Sequence, residues 1–266
     1  MVLIFDSMKY TFCLLLLLMV NEIRSQTQYM TSFDKTKIAY TDEGRGMPVL
    51  LIHGFINDGS MWNKSILKGA LLESGYRVIV PDLRGNGKSD RPEEDEAYDN
   101  NSEIRDLQQL IEHLGLSHLY AVGYSRGSIL LAELLTEDDR ITKAVLGGMG
   151  IDFVDPKWDR RIMFMNAFDG KVNEETIGAV DYANSVGANL KALHLLQKYQ
   201  PSPSRSELKK IRAEVLVIAG DLDLDNGDPK ELNKAIPHSI LQITPGEHNN
   251  TYKTESFSKS VVRFLN

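Results

Sequence analysis

Residues 119–128 read Leu119-Tyr120-Ala121-Val122-Gly123-Tyr124-Ser125-Arg126-Gly127-Ser128. An apolar run fit for a buried strand ends in Gly-x-Ser-x-Gly. Apolar residues at helical spacing follow: Ile129, Leu130, Leu134 and Leu135. Strand, sharp turn and helix together form the context in which such a serine is presented as a nucleophile. The glycines two places either side have a steric reason, because a Cβ at either place would collide with a neighbouring strand or helix. The five-residue motif alone is weak, since Gly and Ser are common in turns. The flanking strand and helix supply its specificity.

Working outward, strands and helices alternate. Tyr29–Phe33 and Lys37–Asp42 read as a hairpin around Asp34-Lys35-Thr36. Pro48–His53 and Arg77–Val80 are solid apolar runs, as expected of strands covered on both faces. Ser60 to Glu73 reads as a helix closed by Gly75. Ser102 to Leu114 reads as another, with Ile104, Leu107, Leu110, Ile111 and Leu114 on one face. Lys143–Gly148, Val215–Gly220 and Ser239–Thr244 read as further strands. Pro229–Ala235 is a short helix, and Phe257, Val261, Phe264 and Leu265 give a terminal helix its apolar face. The economical topology is a mostly parallel eight-stranded sheet flanked by helices. Residues 151–200 break the alternation and read as a small helical cap inserted after the sixth strand. The core is then 26–150 and 201–266.

With 266 residues, 42% hydrophobic and 25% charged, the composition is that of an ordinary globular chain. The net charge of -7 and the lack of a basic run argue against a nucleic-acid partner. Phe12 to Val20 is an apolar run too short to span a bilayer. With Lys9 before it, residues 1–25 read as a signal peptide cut near Ser25-Gln26, which places the mature protein outside the cytoplasm, secreted or periplasmic. Cys13, the only cysteine, would leave with that segment. No His/Cys/Asp cluster has metal-ligand spacing, and Gly85-Asn86-Gly87 lacks the context of a dinucleotide loop, so the expected chemistry needs no metal or cofactor.

A serine hydroxyl needs an adjacent base to act as a nucleophile at neutral pH. His248 is the candidate, because Pro245-Gly246-Glu247-His248 follows the last strand directly. The base in turn needs an acceptor that fixes its tautomer. Asp223, three residues past Gly220, is the first choice. Asp221, Asp225 and Asp228 crowd the same loop, and Asp152 is an outside candidate. The order Ser125, Asp223, His248 is nucleophile, acid, base. Backbone N–H groups of Phe55 and Arg126 are the expected donors to a developing oxyanion. Trp158, Met163 and Phe164 are the expected substrate contacts, on a segment whose Met and Phe content also suits plain packing.

His53-Gly54-Phe55, Asp82-Leu83-Arg84-Gly85-Asn86-Gly87-Lys88-Ser89, Gly123-Tyr124-Ser125-Arg126-Gly127, Gly220-Asp221-Leu222-Asp223 and Gly246-Glu247-His248 together resemble the α/β-hydrolase superfamily over residues 30–266. The resemblance implies the α/β-hydrolase fold, and that Asp82 and Arg84 organise the loop beside the oxyanion hole. It is poorly specific for substrate. The expected activity is a serine hydrolase cleaving a small carboxylic ester or related acyl compound through an acyl-enzyme on Ser125. Thioester, lactone, amide and carbon–carbon substrates stay open. The alternative is a hydrolase-like ligand-binding or sensing protein with slow or no turnover. Relatives with an aspartate nucleophile, such as epoxide hydrolases, are disfavoured by Ser125. Few positive charges stand in the cap, so a highly anionic substrate is not expected.

Overall fold

The computed structural model describes residues 26–266. The expected signal segment, residues 1–25, and Cys13 within it lie outside the described residues. Among the described residues no helix is long and apolar enough to cross a membrane.

Eight strands form one sheet: β1 (Gln28–Thr31), β2 (Lys37–Gly44), β3 (Pro48–Ile52), β4 (Arg77–Pro81), β5 (Leu119–Tyr124), β6 (Ile141–Gly147), β7 (Glu214–Gly220) and β8 (Ser239–Thr244). Their spatial order is β1-β2-β4-β3-β5-β6-β7-β8. The hairpin β1–β2 joins β4 antiparallel, and all later neighbours pair parallel. The period-two pleat sends alternate side chains to opposite faces, and both faces are apolar. Leu50, Ile52, Ala121, Val215 and Val217 enter one core, whereas Val49, Leu51, Val122, Leu216 and Ile218 enter the other. Helices α1 (Ile66–Glu73) and α9 (Glu255–Leu265) cover the second face. Helices α2 (Ser102–His113), α3 (Arg126–Glu137) and α8 (Pro229–Ala235) cover the first.

The helix expected over Ser60–Glu73 is broken. Gly59–Lys64 is a 3₁₀ turn, and Ser65 adopts an extended backbone before α1. Its hydroxyl accepts the Leu67 N–H and donates to the Tyr252 carbonyl at 2.8 Å. Serine favours such capping over a mid-helix position, and here a tertiary contact rewards the break.

Between β6 and β7 lie α4 (Asp159–Phe168), α5 (Ile177–Ser185) and α6 (Leu190–Lys198), with the single turn α7 (Arg205–Leu208) before β7. Ala167, Phe168, Val180, Ala183, Leu193 and Leu196 form a small core of their own, against which Phe55 and Ile56 pack. The C-terminal end of α6 is held by two arginines. Arg161 donates to the Gln197 and Lys198 carbonyls, each at 2.8 Å, and Arg126 donates to the Leu196 carbonyl at 2.8 Å. Cations at a helix C-terminus are favourable both as hydrogen-bond donors and against its dipole.

Candidate active site

Ser125, Arg126, Phe55, Asp223 and His248 each lie just past the carboxyl end of a parallel strand, where such sheets gather functional groups. Ser125 follows β5 and caps α3 with φ +55° and ψ −125°. That is sparsely populated backbone for a residue with a Cβ. The Ser125 N–H donates to the Gly147 carbonyl at 2.8 Å, and the Ser128 hydroxyl donates to the same oxygen at 2.8 Å. A Cβ on Gly123 would overlap the Gly127 carbonyl, and one on Gly127 would overlap the Ile52 carbonyl. Neither position therefore has room for a side chain.

His248 Nε2 stands 2.8 Å from Ser125 Oγ, and His248 Nδ1 stands 2.8 Å from Asp223 Oδ2. With the carboxylate as acceptor, Nδ1 carries the proton and Nε2 is free to accept from the serine hydroxyl. Burial alone would raise the Asp223 carboxyl. The hydrogen bond and charge of His248, a bond from Asn226 and the charge of Arg160 outweigh it, leaving the pKa below the ordinary aspartate value.

The competing acids go elsewhere. Asp221 accepts the Gly246 N–H at 2.9 Å, Asp228 caps α8 by accepting from Lys230, and Asp225 and Asp152 are exposed. Two site contacts escaped the sequence reading. Asn226 Nδ2 donates to Asp223 Oδ1 at 2.7 Å, and the Tyr124 hydroxyl donates to the His248 carbonyl at 2.7 Å. An Asn three residues past an Asp is commonplace, so neither composition nor motif marks it.

The loop after β3 approaches the serine closely. A Cβ on Gly54 would lie 3.3 Å from Ser125 Cβ. The N–H groups of Phe55 and Arg126 donate to no other described residue. Ile56 adopts φ +54°, a strained setting for a β-branched residue. His53 is fully buried beneath this loop. Its Nε2 accepts the Leu83 N–H at 3.0 Å, and its Nδ1 donates to the Gly54 carbonyl at 2.8 Å. Asp82 accepts the Gly59 N–H at 2.7 Å and the Lys88 N–H at 2.8 Å, which ties the loop after β4 to the segment after β3.

A family model described as alpha/beta hydrolase fold matches residues 47–161. A Synechocystis protein whose name is that of a non-heme chloroperoxidase is 30% identical over 244 residues, which span 79% of this chain and 87% of its own. The chain belongs to the α/β-hydrolase fold family. Among solved structures, a bromoperoxidase from Bacillus anthracis superposes with TM-score 0.71 at 26% identity, covering 90% of this chain and 99% of its own. An esterase from Exiguobacterium antarcticum gives 0.71 at 24% identity, covering 90% and 99%, and speaks to the fold alone.

In this α/β hydrolase a cavity of about 530 Å³ opens beside Ser125 and His248. Trp158 and Phe164 line it, and Met163 does not. One residue turns a helix by about 100°. Arg160, Arg161 and Phe164 therefore share the face of α4 toward the cavity, and Met163 turns aside. Phe164 also meets the Phe55 ring edge-on, with centroids 6.0 Å apart. The expectation of few positive charges fails at the cavity wall. Arg126, Arg160, Arg161 and Lys253 all line it, and no Asp or Glu does. Only two of the four come from the inserted segment, so a count taken along that segment understates the charge. Among the described residues no group of three His, Cys, Asp or Glu side chains is placed to hold a metal ion.

Proposed function

We propose that this α/β hydrolase cleaves a small carboxylic ester or related acyl compound through an acyl-enzyme on Ser125. The observation that carries the reading is the 2.8 Å approach of His248 Nε2 to an Oγ held on strained backbone. His248 takes the hydroxyl proton as Oγ attacks the acyl carbon. The Phe55 and Arg126 N–H groups, unused elsewhere, receive the charge that develops on the carbonyl oxygen. His248 then returns the proton to the departing alcohol. Water, activated by the same imidazole, releases the acid. Asp223 stays ionised and steadies the imidazolium. The segment between β6 and β7 acts as a cap that walls the pocket, with Trp158 and Phe164 against the substrate. Residues 1–25 direct the chain out of the cytoplasm.

A second reading rests on the haloperoxidase names of two relatives. If hydrogen peroxide replaces water at the acyl-enzyme, the product is a peroxy acid, and that acid can oxidise halide. The same serine serves both. Reaction with a fluorophosphonate probe and turnover of p-nitrophenyl acyl esters, each with and without peroxide and bromide, test the pair. A Ser125 that neither labels nor turns over any ester leaves the binding-protein alternative.

A further inference from the structure

Among the described residues, Arg160 is the one arginine of the cavity wall without a partner of its own. Arg126 pairs with Glu103, and Arg161 is spent on the carbonyls ending α6. Arg160 makes no hydrogen bond or ion pair with any other described residue. Its guanidinium instead lies over the Phe164 ring, 5.0 Å from the centroid. Burial lowers its pKa below the ordinary arginine value, with Asp225 and Asp223 opposing, and an arginine stays charged through such a shift. Leaving a charge half-desolvated and unpaired is costly unless something else meets it.

A second observation points to the same cavity. Gln200 is 4% exposed, and its Nε2 has no hydrogen-bond partner among the described residues. Gln200 lines the cavity with Arg160. A buried amide donor without a partner is rare, and leaving it unmet is costly. Both features sit in a pocket without a single carboxylate, in a chain of net charge -7.

We infer that the pocket takes an acyl substrate bearing a second, ionised carboxylate, which pairs with the Arg160 guanidinium and accepts from Gln200 Nε2. This deepens the ester-hydrolase reading and rests on it for the reaction, though not for the binding. A half-ester of a short dicarboxylic acid has the required chemistry: one carbonyl for Ser125 and one carboxylate for Arg160. A planar guanidinium suits a carboxylate in two-point contact.

The experiment compares monomethyl succinate, glutarate and adipate with their neutral dimethyl esters. In wild type, kcat/KM for at least one half-ester should exceed that of its diester by about tenfold or more, through KM, the scale of one charge-assisted contact. Arg160→Met should bring that ratio to about one, Arg160→Lys should keep part of it, and Gln200→Leu should reduce it. Equal turnover of half-esters and diesters by wild type overturns the inference while leaving the ester-hydrolase reading intact. A fall of both ester classes together in Arg160→Met also overturns it, because Arg160 would then act only on Asp223. If no ester is turned over, calorimetric titration of Ser125→Ala with the same pairs decides the matter. Tighter binding of a half-ester supports the carboxylate site, and equal or absent binding refutes it. Should Arg160→Met fail to fold, the wild-type and Arg160→Lys comparisons stand on their own.

Discussion

Arg126 Nη2 donates to the carbonyl of Leu196 at 2.8 Å. The residue that follows Ser125 in the chain thereby also holds the last turn of α6. Its other anchor is Glu103, an ion pair whose side chains are 4% and 6% exposed. One side chain thus joins the turn at Ser125, helix α2 and the segment between β6 and β7.

Removing Arg126 strands a buried carboxylate. Arg126→Met should cost about 3–5 kcal/mol by denaturant unfolding, and Arg126→Met with Glu103→Leu should recover much of it. The double variant still lacks the tie to Leu196. If that tie holds the pocket wall in place, KM for a good ester stays raised after stability has returned.

Ser125→Ala should lower ester turnover by at least about a thousandfold, with residual rate from the remaining binding contacts. It should abolish fluorophosphonate labelling. Because φ +55° is strained for any residue with a Cβ, Ser125→Gly should be inactive yet as stable as Ser125→Ala or more so.

Asn226 holds the far oxygen of Asp223. Asn226→Ala should lower kcat by about ten- to a hundredfold, the scale of a misplaced catalytic geometry, and should leave KM nearly unchanged. Asn226→Asp should be worse, since a second carboxylate would repel Asp223. Equal kcat values for wild type and Asn226→Ala would show that His248 alone suffices to orient the acid.

His53 sets a pH limit on stability. Burial, against the Gly54 bond and nearby aspartates, lowers its pKa. The folded value therefore lies below the unfolded value of about 6.5. The stability it contributes is present above that value and is lost as pH falls through the depressed folded one. Melting temperatures followed from about pH 8 to pH 5 should decline in wild type and decline less in His53→Gln.

Much of the fold was legible because buried parallel strands must be continuously apolar. β3, β5 and β8 begin where the apolar runs begin, and α8 spans Pro229–Ala235 as its proline and composition suggest. Ser125, Asp223 and His248 were legible because strand ends fix where such groups can stand. Other features depend on contacts between distant segments. The break at Ser65 depends on Tyr252, which lies 187 residues away. The inward turn of Arg160 and aside turn of Met163 depend on how α4 is rotated, and a mixed Met, Phe and Arg segment does not specify that rotation.

Arg84 is wholly buried and grips Asp106 through Nε and Nη2, at 2.6 and 2.7 Å. It also reaches Asp34 at 2.9 Å and the Ala97 carbonyl. Ser32, at the start of the same hairpin turn, donates to Asp106 as well. The amino-terminal hairpin, the loop after β4 and α2 therefore share one charge hub. Amide hydrogens in all three should exchange as one cooperative unit. A truncation starting beyond Asp34 would remove an anionic partner of a desolvated cation and loosen structure more than seventy residues downstream in α2.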